Sequence, residues 1–93
     1  MILGFADAET EKIWHGQRSR KLPSDIQDKC LVKLRMLNSA RKLDDLKVPP
    51  GNRLEALKGE RKGQFSIRIN DQWRIFFRWS DGAATDVEIT DYH

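Results

Sequence analysis

The chain has 93 residues, the length of one domain, because domains usually contain about 100–200 residues. Hydrophobic residues make up 39% and charged residues 33% of it, which is typical of a globular protein and unlike a disordered one. No apolar run approaches the roughly 20 residues of a membrane helix, and a single cysteine excludes an internal disulfide. We therefore expect one cytoplasmic domain over residues 1–93, without metal or cofactor.

The distribution of charge along the chain suggests a partner class. Residues 51–79 contain seven Lys or Arg against three acids, whereas residues 80–93 contain four acids and no Lys or Arg. A basic segment followed by an acidic tail is compatible with a polyanion-binding surface beside a discrete carboxylate. An ordinary solvated, charged surface explains the same numbers, so charge alone does not decide.

A short strand is predicted at 1–5, followed by a brief helix. Asp7 is a suitable N-cap for that helix, which is predicted to run through His15. Gly16 then ends it, because glycine readily adopts the left-handed conformation found just after helices. We expect His15 to act as a structural group near the helix C-terminus.

A second, amphipathic helix is predicted from about Ser24 to Ser39. Ser24 and Gln27 have the spacing of a capping box. Apolar residues then recur at helical spacing, namely Ile26, Cys30, Leu34 and Leu37. The opposite, polar face holds Asp25, Lys29, Lys33 and Arg35. Cys30 is accordingly expected to be a buried hydrophobic side chain.

Beyond the breaker at 49–52 the apolar period becomes two, the period of a strand. Strands are predicted at 53–57, 65–69 and 73–79, and a last one through Val87 and Ile89, with turns at 58–63, 70–71 and 80–82. Helices followed by antiparallel strands define an α+β fold. Two N-terminal helices are expected to pack on one face of a small, mainly antiparallel sheet, against Trp73, Ile75, Phe77 and Trp79.

The other face of the predicted sheet is basic. Alternation places Arg68, Arg74 and Arg78 on it. Phe76 shares their parity, and we expect it to be exposed there and able to stack on an unpaired base. The remaining candidate RNA-binding residues lie beside this face: Arg53, Arg61 and Lys62.

The last residues, Asp91, Tyr92 and His93, bring a carboxylate, a phenol and an imidazole to the end of the final strand. A metal-free ribonuclease needs a base for the ribose 2′-hydroxyl, cations for the phosphorane and an acid for the leaving oxygen. Asp91 or His93 can serve as base or acid, Lys58 and Arg74 can bind the phosphate, and Tyr92 can orient the nucleotide. Alternatively, Tyr92 closes the edge of the core and Asp91 forms a surface ion pair with Arg74.

The C-terminal half contains three stretches that identify a family by resemblance. They are PGNRLEALKG at 50–59, GQFSIRINDQWRI at 63–75 and VEITDYH at 87–93. These closely resemble the HigB toxins, members of the RelE/ParE superfamily of bacterial type II toxin–antitoxin systems. The first 45 residues agree with that family in element order only.

The resemblance implies a RelE-like fold and a ribosome-dependent endoribonuclease. Such an enzyme cleaves messenger RNA in the decoding site by metal-free attack of the 2′-hydroxyl and thereby arrests translation. The implied partner is a helix-turn-helix antitoxin of the HigA type, which neutralises the toxin and joins it in repressing their operon, so operator DNA is contacted only through the complex.

The resemblance also implies which residues act. By position, the family's functional residues correspond to Lys58, Arg74, Asp91, Tyr92 and His93 of this chain. Some relatives carry histidine where this chain has Glu55, so the identity of the general base stays open.

Two other functions also stay open on the sequence. A ParE-like toxin with the same fold would inhibit DNA gyrase and leave messages intact. A toxin that has lost activity would still bind antitoxin and operator, but its expression would leave growth unaffected.

Overall fold

The structure, a computed structural model, describes residues 1–92. Helix α1 spans Ala8–Trp14 and helix α2 spans Gln27–Ser39. Strands follow at Glu55–Ala56 (β1), Gln64–Arg68 (β2), Trp73–Ser80 (β3) and Ala83–Asp91 (β4). Short 3-10 helices lie at Ser24–Ile26, Leu43–Lys47, Pro50–Asn52 and Gly59–Arg61. None of the helices in this part of the chain is long and apolar enough to cross a membrane.

The four strands form an antiparallel meander in the order β1-β2-β3-β4, as predicted. The N-terminal segment lies beside β4 in parallel orientation, but it makes only isolated bridges at Ile2 and Phe5. The cause is a bulge in β4, where Asp86 adopts a φ of 51° and the register shifts. A bulge interrupts the hydrogen-bond ladder that a continuous fifth strand would need.

Both helices pack on one sheet face, as the alternation predicts. The apolar stripe of α2, including Cys30 and Leu34, is fully buried against Ile75 and Phe77 of β3. Trp73 and Trp79 are partly buried at the margin of this core. A hydrogen bond of 2.9 Å from the Ile89 backbone to the Thr10 hydroxyl attaches α1 to β4. The opposite sheet face is therefore left without helices.

The predicted N-terminal cap is present in α1, but the one predicted for the second helix is not. Asp7 caps α1 as expected, accepting a hydrogen bond from the Thr10 backbone at 2.9 Å. The capping box predicted at Ser24 and Gln27 is wrong. Because residues 24–26 form a 3-10 turn, the buried amide of Gln27 turns away and bonds to the Ser19 backbone at 2.8 and 3.0 Å. Gln27 thus fixes the loop before the helix.

Lys33 does not lie on an exposed face of α2, contrary to the prediction. It is only 8% exposed, because the loop at 43–52 folds over this side of the helix and places Asn52 against it. The Lys33 ammonium donates a hydrogen bond to Asn52 Oδ1. Burial lowers the pKa of Lys33, and the positive charge of Lys29 lowers it further.

Candidate active site

The open sheet face carries rows of side chains from neighbouring strands, and two of these rows bring the candidate residues together. Residues directly opposite one another in antiparallel strands share a face, so one row consists of Glu55, Ser66, Phe76 and Glu88. The next row consists of Arg68, Arg74 and Thr90. Backbone pairing therefore places a carboxylate of β1 next to the arginines of β2 and β3.

Arg74 is fixed at the centre of this face and is only 6% exposed. Its Nε donates to the Ser66 hydroxyl at 2.8 Å, and its Nη2 donates to the Arg53 carbonyl at 2.5 Å. Burial lowers the pKa of Arg74, while Glu55 and Tyr92 oppose that shift. An arginine remains charged in proteins, so the site holds a pre-oriented cation whose recorded bonds go to neutral oxygens.

The acceptor for Arg74 depends on an uncommon backbone conformation. Arg53 follows the 3-10 turn Pro50–Asn52 and lies in the left-handed region, with φ 45° and ψ 55°. For a non-glycine residue this conformation costs about 1–2 kcal/mol. It presents the Arg53 carbonyl to Arg74 on the sheet face.

Tyr92 bridges the cation and the carboxylate. Its ring centroid lies 5.0 Å from the Arg74 guanidinium carbon, and its hydroxyl donates to Glu55 Oε1 at 2.6 Å. The ring also meets Phe76 edge-on, with centroids 6.5 Å apart. Tyr92 is nevertheless 47% exposed, so a ligand can reach the other side of the ring.

Two hollows meet at Tyr92. One, of about 290 Å³, is cationic and is lined by Arg53, Arg68, Asn70, Asp71, Arg74 and Tyr92. The other, of about 270 Å³, is lined by Glu55, Ala56, Leu57, Lys58 and Tyr92. Tyr92 thus separates a hollow lined by three arginines from one that holds a carboxylate and an ammonium group.

Phe76 lies on the basic face, as its parity predicts, but the expectation that it is exposed is wrong. It is 8% exposed because two other side chains cover its ring. The Arg61 guanidinium carbon lies 4.7 Å from the ring centroid, and Tyr92 packs against the ring edge. Phe76 therefore supports Arg61 and Tyr92 and presents no open face to a base.

Three of the predicted RNA-binding arginines form ion pairs with carboxylates. Arg61 pairs with Glu88 and Arg68 pairs with Asp71. Arg78 pairs with Asp86 at the bulge, at 3.3 Å. The side chains of Arg53, Lys58 and Lys62, by contrast, take part in no ion pair recorded among residues 1–92, and all three residues are exposed.

The structure does not bring Asp91 to the same face as Arg74. Asp91 lies opposite Trp73 in the register, so it shares the helix side of the sheet. Its carboxylate accepts from Gln72 Nε2 at 2.9 Å, while the Tyr92 backbone donates to the Gln72 carbonyl at 2.7 Å. Gln72 thereby fixes the end of β4. His93 lies outside the described residues.

Sequence reasoning missed several contributors to the site. Ser66 and the Arg53 carbonyl orient Arg74, and Gln72 orients the chain at Tyr92. Only Ser66 carried a signal, as a small polar residue between the apolar residues Phe65 and Ile67 of a strand. Within residues 1–92, no three His, Cys, Asp or Glu side chains come together as a metal site.

The contact between Tyr92 and Glu55 predicts an altered titration of the phenol. The hydrogen bond to Glu55 and its negative charge raise the pKa of Tyr92, and Arg74 opposes the shift. The stabilisation from this contact should therefore be present below the ordinary tyrosine pKa of about 10 and disappear as pH rises through the raised value. Tyr92 is the only tyrosine in the chain, so phenolate absorbance measures it directly.

Glu55→Gln should lower the midpoint of that titration, because it removes the negative charge that repels a phenolate. A wild-type midpoint no higher than that of free tyrosine would contradict the contact.

Comparison with known proteins identifies the family. A sequence model described as "RelE-like toxin of type II toxin-antitoxin system HigB" matches residues 3–93. Toxin HigB-1 of Vibrio cholerae is 44% identical over 88 residues, covering 94% of this chain and 93% of its own length. Endoribonuclease HigB of Proteus vulgaris is 31% identical over 93 residues, covering 100% of both chains.

Solved structures show the same fold at low sequence identity. YafQ from E. coli superimposes with a TM-score of 0.60 and 13% identity, covering 99% of this chain and 92% of its own. A YoeB/ParE toxin from Agrobacterium tumefaciens gives a TM-score of 0.56 and 16% identity, covering 99% and 98%. With its RelE-like fold and its match along nearly the whole sequence, this chain belongs to the HigB family of type II toxin–antitoxin toxins, and an antitoxin is its partner.

Proposed function

We propose that this toxin is a ribosome-dependent endoribonuclease that cleaves messenger RNA in the decoding site without a metal ion and so arrests translation. A relative that matches over its full length is called an endoribonuclease. The observation that carries the proposal is the buried, pre-oriented Arg74 next to the Tyr92–Glu55 hydrogen bond.

The cationic hollow is suited to the scissile phosphate. Arg53, Arg68 and Arg74 line it, and Nε and Nη2 of Arg74 are engaged by Ser66 and Arg53, which leaves Nη1 to donate to a phosphate oxygen. A cation that is already oriented stabilises the charge developing on a phosphorane without reorganising during the reaction. In this proposal Arg74 supplies the main electrostatic stabilisation.

The second hollow supplies the proton transfers. Glu55 accepts the proton of the ribose 2′-hydroxyl, and the 2′-oxygen forms a bond to phosphorus. The bond from phosphorus to the 5′-oxygen breaks, and the Lys58 ammonium group donates a proton to that oxygen. The products are a 2′,3′-cyclic phosphate and a 5′-hydroxyl end, and neither step requires an oxidant or a co-reactant.

Tyr92 orients the nucleotide between the two hollows, because half of its surface is free while Arg74 and Glu55 hold its position. Asp91 acts through Gln72 on the placement of Tyr92 and is a positioning residue in this proposal. His93, the neighbour of Tyr92 in sequence, remains a second candidate for the acid.

The shallow, charged character of the face supports the proposed dependence on the ribosome. Contacts of Arg61, Lys62, Arg68 and Arg78 with phosphates carry little sequence information and give weak, salt-sensitive binding. The ribosome would hold the message in a fixed geometry, which lowers the barrier by positioning the reacting groups. We also propose a HigA-type helix-turn-helix antitoxin, with operator DNA contacted only in the toxin–antitoxin complex.

The test is cleavage of a defined message in a purified translation system, with and without ribosomes. We expect cuts only when ribosomes are present, with a 2′,3′-cyclic phosphate on the upstream fragment. Intact messages accompanied by gyrase inhibition would contradict the proposal and favour a ParE-like activity. Intact messages and normal growth would instead indicate an inactive toxin.

A further inference from the structure

We infer that Lys33 and Asn52 are positioning residues for Arg74. They act through the Arg53 carbonyl, at the end of the loop that Asn52 anchors. The expected effect on cleavage rests on the proposed function, in which Arg74 holds the scissile phosphate. Neither residue lines either of the two hollows, so their effect on the reaction would be indirect.

The first step is the contact between the helix layer and the loop. Lys33 projects from α2 and donates to Asn52 Oδ1, and both side chains are buried. The Asn52 amide nitrogen donates in turn to the carbonyls of Leu46 at 3.2 Å and Val48 at 3.4 Å. The Asn52 side chain thus connects α2 to the end of the loop and to the backbone at Leu46 and Val48.

The second step leads from Asn52 to the site. The Asn52 backbone donates to the Pro49 carbonyl at 3.0 Å, and the Arg53 backbone donates to the Pro50 carbonyl at 3.1 Å. This turn delivers Arg53 in its left-handed conformation, with its carbonyl against Arg74 Nη2. A shift of Asn52 therefore moves the acceptor that sets the orientation of the guanidinium.

The chemistry of the pair argues against a purely packing role. Among residues 1–92, the hydrogen bond found for the buried Lys33 ammonium group goes to a neutral amide and not to a carboxylate. Such a group is a costly way to fill space, because removing a charge from water is unfavourable. A polar pair does, however, require one relative position of its partners, since any other leaves buried groups unsatisfied. Here that requirement fixes the loop that carries Arg53.

The experiment compares Lys33→Met with Lys29→Met. The control removes the same group one turn earlier on α2, at an exposed position. We expect Lys33→Met to lower kcat of ribosome-dependent cleavage by about ten- to a hundredfold, the effect of misplacing a catalytic group, with KM nearly unchanged. Lys29→Met should cleave like the wild type.

Side-chain NMR of Arg74 provides a readout that does not depend on activity. In the wild type both the Nε–H, bonded to Ser66, and an Nη2–H, bonded to Arg53, should be protected from exchange. Nη2 also lies 3.4 Å from the Ser66 carbonyl, so Lys33→Met should lose protection at the Nη2 hydrogen that bonds to Arg53 and keep it at Nε. General loosening of the fold would affect both. The resonances are assigned by their absence in Arg74→Lys.

If Lys33→Met does not fold, the double variant Lys33→Met/Asn52→Leu replaces both partners with apolar side chains and is expected to fold with the same loss at Nη2. Unchanged Nη2 protection in a folded variant would overturn the inference, as would an equal loss at Nε and Nη2. If the wild-type protein proves unable to cleave RNA while Nη2 protection still depends on Lys33, the proposed function fails and the positioning role stands.

Discussion

Arg74→Met should reduce message cleavage by about a thousandfold, the upper part of the range for losing one pre-oriented electrostatic group. The substitution keeps much of the side-chain length but removes the hydrogen bonds to Ser66 and Arg53 and the cation beneath the Tyr92 ring. Arg74→Lys should also be strongly impaired, because a lysine cannot bind Ser66 and Arg53 in the same fork geometry while contacting phosphate. Rates are measured on a defined message in the purified translation system.

The matched control is Arg35→Ala, which removes a guanidinium from an exposed position of α2, on the other side of the sheet. It should cleave at the wild-type rate. Retained binding to the antitoxin and an unchanged thermal unfolding profile would show that Arg74→Met folds. Near-normal cleavage by a folded Arg74→Met variant would remove the main support for the proposed mechanism.

Glu55→Gln should reduce kcat by about two to four orders of magnitude, the usual contribution of a general base. Glutamine retains an oxygen that can accept the Tyr92 hydroxyl, so the arrangement at 2.6 Å can persist while the capacity to take up a proton is lost. The measurement is single-turnover cleavage at saturating ribosomes, which reports on the chemical step.

Glu11→Gln serves as its control, because Glu11 is exposed on α1, lies outside both hollows and forms an ion pair with His15. If Glu55→Gln cleaves normally but Lys58→Ala or His93→Gln does not, Glu55 is not the base and the proton transfers belong to those residues. The Arg74 prediction is independent of this outcome.

The period-two alternation predicted which residues share a sheet face, because neighbouring side chains of a strand point to opposite sides. It placed Arg68, Arg74 and Arg78 together, and the register confirms this. Alternation does not predict what covers a side chain. Phe76 is buried by Arg61 and Tyr92, which come from other segments of the chain.

The sequence alone indicates which sheet face Asp91 occupies, since Asp91 alternates in phase with Val87 and Ile89 of the core. Asp91 and Tyr92 are adjacent in the sequence, so their side chains lie on opposite faces of the sheet and do not form one cluster. The burial of Lys33 was not accessible in the same way, because it depends on the path of the loop at 43–52, and local sequence patterns do not encode where an irregular segment folds back. For the same reason, the sequence does not predict that the Arg53 carbonyl accepts a hydrogen bond from Arg74.

The ion pairs of Arg61, Arg68 and Arg78 have a consequence for the unbound toxin in a cell full of RNA. Glu88, Asp71 and Asp86 pair with guanidinium groups that would otherwise be free to bind phosphate, and surface ion pairs contribute only about 0–1 kcal/mol. Under the proposed function, a stray transcript therefore gains little by displacing these carboxylates, and we expect it to bind the free protein weakly. A message held close to this face at high local concentration would still exchange with these carboxylates at a small energetic cost, so under the proposed function the ion pairs favour messages that are already positioned.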